Sequence, residues 1–233
     1  MQYINVTTFD GKSMRALFVP AKAQNPNQAP GIVLIQEIFG INDAMQQLAH
    51  TWAEKGFNIL CPDLFFRQEP NLDLDPQKPE EFEKGVQLMQ EMELDLTLSD
   101  LESTRAQLAS QIGHENIGAM GYCLGGRLVI QMNAQGKIKA AVSYYGVNLE
   151  KVLPQVPQDA APAYLHLAKL DKYTPAPVIE AIQENLQNRK DWAYAIYDDC
   201  DHAFARPNGA NFVKEAAQLA EQRSHDFLNK HLN

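Results

Sequence analysis

The chain has 233 residues, of which 45% are hydrophobic, and a formal net charge of −9 at pH 7. That length suits one α/β domain with a substantial core, and the acidic balance excludes an electrostatic footprint for nucleic acid or for an anionic membrane surface. Three widely spaced cysteines, Cys61, Cys123 and Cys200, fit neither a disulfide framework nor a zinc site. With no basic-then-apolar leader and no apolar run of about 18 residues, the reading is a cytoplasmic protein that does not span a membrane.

Residues 1 to 20 read as a β-hairpin, with strands Ile4 to Phe9 and Met14 to Val19 flanking the turn pair Asp10-Gly11. The polar, proline-containing stretch Ala21 to Pro30 is a loop. Gly31 to Ile35 is a continuous apolar run, as in a parallel strand covered on both faces, and it runs into Gln36-Glu37-Ile38-Phe39-Gly40. A helix follows, capped by Asn42 or Asp43, with Ile41, Met45, Leu48, Ala49 and Trp52 on one face and Gly56 as its stop. Next come a strand over Phe57 to Cys61, a long loop over Pro62 to Pro79 whose stretch from Gln68 is a candidate mobile cap, and helices over Pro79 to Met92 and Thr97 to Ile112. After the segment Gly121 to Gly126 the chain offers strands over Ile138 to Tyr144, Ala163 to Leu167 and Trp192 to Tyr197. Helices near Pro177 to Gln187 and from about Asn211 to His231 complete the alternation. Strand and helix alternate almost throughout, which predicts an α/β fold with a mostly parallel central sheet flanked by helices on both faces and an N-terminal antiparallel hairpin.

The segment Gly121-Tyr122-Cys123-Leu124-Gly125-Gly126 lies between the apolar runs Ile117 to Met120 and Leu128 to Met132. It reads as a nucleophile elbow in which cysteine replaces the usual serine. The glycines clear room for close backbone approach, and the central side chain stands at a helix N-terminus, where the dipole favours a thiolate. An α/β-hydrolase fold carries its triad in the chain order nucleophile, acid, histidine, each after a strand. Asp171 follows the strand ending near Leu167, and His202 follows the strand ending at Tyr197, so Cys123, Asp171 and His202 are the candidate triad. In these roles His202 takes the thiol proton and later activates water, while Asp171 fixes the imidazole tautomer. Asp198, Asp199 and Asp201 rank below Asp171 because loop neighbours seldom face a ring from behind. His50, His114, His225 and His231 read as structural or solvent-facing, and His166 as a hydrogen-bonded core histidine. The oxyanion donors expected by position are the backbone N–H groups of Leu124 and Ile38.

These residues resemble the dienelactone hydrolase family, the carboxymethylenebutenolidases, over nearly the whole chain. The resemblance rests on Gln36 to Gly40, Gly121 to Gly126, Ser143-Tyr144-Tyr145-Gly146, Asp171 and His202-Ala203-Phe204-Ala205-Arg206. It implies a single α/β-hydrolase domain over 1–233 and a cysteine hydrolase acting on an enol-lactone that carries a carboxylate. No cofactor or metal is implied. The resemblance further implies that Glu37 contacts the resting thiol and helps deprotonate it, that Arg206 binds the substrate carboxylate or holds Glu37, and that Tyr145 lies in the substrate site. The residues themselves add that a carboxylate at the end of an apolar strand needs a partner, which a planar guanidinium can supply.

One departure stands out: where the family's dienelactone enzymes carry a second substrate-binding arginine, this chain has Lys78-Pro79-Glu80-Glu81-Phe82-Glu83. A thiolate is also a good leaving group, so activated esters, enol esters and lactones suit it and amides do not. The expected partner is a small-molecule ester or lactone, not nucleic acid or a membrane, and the expected assembly is a monomer or homodimer. Two alternatives stay open: an esterase for other small acyl esters, and a ligand-binding relative without turnover. A thiol redox enzyme is disfavoured because no C-x-x-C pair is present.

Overall fold

A computed structural model describes residues 2–233, with Met1 outside the described residues. The chain forms two compact units that meet between Gly118 and Ala119 in sequence. Among the described residues no helix is long and apolar enough to cross a membrane.

In the first unit β1 (Gln2–Thr7) and β2 (Ser13–Val19) form the hairpin read from the sequence, closed by a bond from the Thr8 N–H to the Lys12 carbonyl. β2 pairs antiparallel with β4 (Asn58–Pro62), which runs parallel to β3 (Gly31–Ile35), giving the order β1-β2-β4-β3. Every residue of β3 and β4 is buried, as the unbroken apolar runs require. Asn58 is the polar exception, and its side chain organises the preceding loop. It accepts from the Ala21 N–H and donates to the Pro26 and Ala29 carbonyls.

Helix α1 (Asp43–Glu54) is capped by the Asn42 side chain, which accepts from the Met45 N–H at 3.2 Å, and its predicted apolar face is buried throughout. α2 (Pro79–Gln90) and α3 (Leu94–Ile112) follow. α3 begins one turn earlier than the apolar spacing suggests, because both the N–H and the hydroxyl of Thr97 donate back to the Glu93 carbonyl. Its buried stripe also includes Asp100, which Arg67 satisfies from the long loop while reaching Asp10 of the hairpin turn.

That long loop is tied down, in contrast to the expected mobile cap. Leu72 and Leu74 are buried, the Leu74 N–H donates to the Phe39 carbonyl, Asn71 donates to Asp63, and Asp73 bridges to Gly40.

In the second unit β5 (Ile117–Tyr122), β6 (Ala141–Tyr144), β7 (Ala163–Ala168) and β8 (Trp192–Tyr197) are parallel and lie in that order. They alternate with α4 (Leu124–Asn133), the short α5 (Leu149–Val152), α6 (Ala176–Leu186) and α7 (Lys214–Leu232). β6 is shorter than the apolar run from Ile138 suggests. α7 starts at Lys214 rather than Asn211, because Asn211 donates to the His202 carbonyl and Val213 to that of Phe204, which holds this stretch out of the helix. Parallel strands place the loops after β5, β7 and β8 at one edge, and each of these loops carries one residue of the expected triad.

Candidate active site

The elbow is built by close packing. A Cβ on Gly121 would stand 2.3 Å from the Gly125 carbonyl, and one on Gly126 would stand 2.8 Å from the Ser143 hydroxyl and 2.9 Å from the Gly146 Cα. Only glycine lets β5 turn into α4 this tightly. Cys123 occupies the turn itself with φ 55° and ψ −114°, a conformation costing of order 1–3 kcal/mol that persists only when its surroundings hold it. They do: its N–H donates to the Tyr144 carbonyl at 3.0 Å, and its carbonyl accepts from Arg127 and Val147. The thiol does not cap α4, so it stands half-buried ahead of the helix's first N–H groups, Leu124 leading.

Asp171 and His202 arrive from the loops beyond β7 and β8. Asp171 is buried, with one carboxylate oxygen accepting from the Tyr173 N–H at 2.8 Å and the other 2.7 Å from Nδ1 of His202. The His202 ring also hydrogen-bonds Cys123. The three side chains chosen by chain order are therefore brought together. Burial on its own would strip the His202 proton. Its interactions with the Cys123 sulfur and the Asp171 carboxylate outweigh that and raise the histidine to about 10.

Two tyrosines flank that ring, Tyr145 at 5.1 Å and Tyr173 at 5.0 Å between centroids, both edge to face. Tyr145 is buried, holds a positive φ of 38°, and donates its N–H to the His166 carbonyl. Tyr173 is 44% exposed and sits on the solvent side. Sequence reading missed Tyr173. Its signal was an aromatic two residues after the acid, in a turn otherwise rich in proline.

The remaining candidates are placed as follows. Glu37 is 3% exposed just past β3, and Ile38 follows it in a turn whose carbonyl packs on Gly85 of α2. Arg206 is half-buried in the turn after His202 and donates its N–H to the Ala203 carbonyl. Asp198 pairs with Lys169, and Asp201 accepts the His202 N–H, so neither reaches the ring's Nδ1. Within the segment Lys78 to Glu83, which has no arginine, Glu81 accepts from the Asp75 N–H and from Lys78 and thereby fastens the entry to α2.

Beneath the site lies a neutral polar cluster. His166 in β7 is fully buried, its Nδ1 2.8 Å from the Tyr197 hydroxyl and its Nε2 2.8 Å from that of Ser224, which in turn meets the Tyr144 hydroxyl at 2.8 Å. Burial, then the Arg223 charge, lower this histidine to about 3. The core-histidine reading of His166 therefore holds.

A model of the Dienelactone hydrolase family matches residues 14–232. The chain is 37% identical over 227 residues to the carboxymethylenebutenolidase of Pseudomonas putida, covering 97% of this chain and 94% of that protein. It is 32% identical over 204 residues to carboxymethylenebutenolidase 1 of Cupriavidus pinatubonensis, covering 87% and 86%. Among solved structures it is similar to a Klebsiella pneumoniae protein assigned as a dienelactone hydrolase, with a TM-score of 0.84, 24% identity and 98% of each chain covered. It is also similar to the Pyrococcus furiosus esterase Pf2001, with a TM-score of 0.71, 13% identity and coverage of 100% and 93%. At such identities the structural likenesses speak to the fold, which is that of the α/β-hydrolases.

Proposed function

This chain belongs to the dienelactone hydrolase family and is a hydrolase of ester or lactone bonds, and from that premise we propose that Cys123 is its nucleophile, with His202 and Asp171 as base and orienting acid. The observation that carries the reading is the continuous bonding from Asp171 through the His202 ring to Cys123. We read the chain as one cytoplasmic α/β-hydrolase domain, a reading supported by a family match that runs through both compact units.

The raised proton affinity of His202 supports a thiolate–imidazolium resting pair. The sulfur attacks the acyl carbonyl carbon, a C–S bond forms, and the carbonyl oxygen becomes an anion held by the N–H of Leu124 and, in this proposal, that of Ile38. Collapse breaks the C–O bond, and the departing oxygen takes the imidazolium proton. An enolate or other stabilised oxyanion leaves readily in competition with the thiolate, which fits a lactone of the enol type. Water then attacks the thioester while neutral His202 accepts its proton, and expulsion of the thiolate releases the acid and restores the ion pair. Glu37 is assigned to taking the proton from whatever fraction of Cys123 still rests as the neutral thiol when substrate arrives, and Arg206 to the substrate carboxylate or to Glu37. Tyr145, whose ring meets that of His202, is assigned to the wall of the substrate site.

The test is hydrolysis of an activated aryl ester by wild type and Cys123→Ala. A loss of about 10³-fold or more is expected for removal of a covalent nucleophile, and equal rates overturn the reading. A second reading, an esterase for neutral acyl esters, is favoured by Glu81, a carboxylate bonded to the α2 entry where a carboxylate-binding cation was looked for. Comparing kcat/KM for carboxylate-bearing lactones and neutral esters of equal leaving group separates the two, an anion preference supporting the enol-lactone.

A further inference from the structure

Arg127 is a cation without a counter-ion. It lies in the first turn of α4, four residues after Cys123, and its N–H closes the turn on the Cys123 carbonyl at 3.3 Å. Residues four apart share a helix face and helical side chains lean toward the N-terminus, which sets Arg127 on the side of the turn that holds Cys123, and the two groups interact electrostatically. The residue is half-buried, and its Nε is sealed from solvent without a hydrogen-bond partner. Among the described residues no carboxylate stands within ion-pair distance of it. Arg67 and Arg105, by contrast, are paired with carboxylates, Arg67 with Asp100 and Asp10 and Arg105 with Glu102 and Glu115. A half-buried guanidinium left unpaired is costly unless an anion offsets it.

We propose that the anion offsetting Arg127 is the Cys123 thiolate, so that Arg127 is an electrostatic positioning residue that keeps the nucleophile ionised. Burial pushes the guanidinium's proton affinity down, and the one charged group that opposes this is Cys123. The sulfur is then held between two cations, His202 on the loop side and Arg127 along the helix, in addition to the α4 dipole. His202 gives up its proton to the leaving group during turnover. Arg127 cannot deprotonate, so it maintains a favourable field at the sulfur while the acyl-enzyme is resolved and the thiolate must leave again. The same cation makes the expelled sulfur a better leaving group in the second half-reaction.

This inference rests on Cys123 being the nucleophile, and its test reads the sulfur without turnover. Carbamidomethylation of Cys123 by neutral iodoacetamide at pH 7 is followed by peptide mass analysis in wild type, Arg127→Met, Arg127→Gln and Arg127→Lys. Cys61 and Cys200 are buried and serve as internal controls. Loss of the charge is expected to slow alkylation about tenfold, as one nearby charge of partly screened strength would. Arg127→Lys is expected to recover most of the rate, and anionic iodoacetate to lose more than iodoacetamide. In parallel, kcat for a neutral aryl ester falls by a similar factor with KM little changed. Wild-type alkylation in folded Arg127→Met or Arg127→Gln overturns the inference. So does a loss confined to carboxylate-bearing esters, which would make Arg127 a substrate anchor. If Cys123→Ala hydrolyses normally, it is the nucleophile reading that fails, an outcome visible independently of the alkylation rates.

Discussion

His166 and His202 stand on, and just beyond, neighbouring strands β7 and β8, and both are largely removed from water. Their fates are opposite. His166 hydrogen-bonds the neutral hydroxyls of Tyr197 and Ser224 and faces no anion, so desolvation, helped by the Arg223 charge, dominates and the ring stays uncharged down to about pH 3. His202 meets the Asp171 carboxylate and the Cys123 sulfur, and the same desolvation is overcome, carrying it to about 10. Burial therefore fixes neither charge state. What decides is whether the partners are dipoles or ions. The first arrangement joins strands and helix α7 into a rigid floor. The second sets a ring of raised proton affinity at the edge.

The largest expected effect tests the ionic partner. His202→Ala should lower kcat for an aryl ester by about 10³- to 10⁴-fold, and Asp171→Asn by about 10²-fold or more. In Asp171→Asn the His202 ring, followed by NMR, should titrate well below its wild-type value, and an unchanged titration would break the comparison. Next in size, His166→Ala should cost about 2–4 kcal/mol in urea unfolding, because it opens a cavity and takes one hydrogen-bond partner from each of two buried hydroxyls, while kcat falls far less than in His202→Ala. Equal losses of activity in the two variants would mean that floor and edge are not separable.

A subtler effect lies in the pH dependence of stability. The folded His166 value lies below the ordinary 6.5, so the unfolded chain binds the extra proton and stability should fall as pH drops from about 6.5 toward 3. The folded His202 value lies above 6.5, so the native state binds the extra proton there. Its contribution is full below about 6.5 and is lost as pH rises through about 10. Melting temperatures measured across pH should show the acid limb flattened in His166→Gln and the alkaline limb flattened in Asp171→Asn. The smallest effect concerns Ser143, whose buried hydroxyl has no partner. Ser143→Ala should be neutral or stabilising by about 1 kcal/mol in the same unfolding experiment, since no hydrogen bond is lost.

The parts of this molecule legible in its sequence were those determined by neighbours along the chain. The all-apolar β3, the Asn42 cap, the Asp10-Gly11 turn and the glycine-framed Cys123 each carry their cause within a few residues. Chain order extended that reach to Asp171 and His202, because a parallel fold returns each loop to the same edge. What escaped was pairing over distance. Asp100 looks out of place on the apolar stripe of α3 until Arg67 is found 33 residues away, and the long loop looks free until Leu72 and Leu74 are seen buried near Phe39 and Gly40. Tyr173 and Arg127 escaped for a related reason. The first is defined by a ring it faces, the second by a counter-ion it lacks, and neither relation is written in local spacing.

The left-handed backbone at residue 123 has one more implication. Because the main-chain turn, fastened to Tyr144 and Val147, decides where the side chain of residue 123 emerges, the scaffold is indifferent to which element stands at its tip. Sulfur, oxygen or selenium would be delivered to the same coordinates, and the reactions open to the protein can be re-tuned one atom at a time without redrawing the framework.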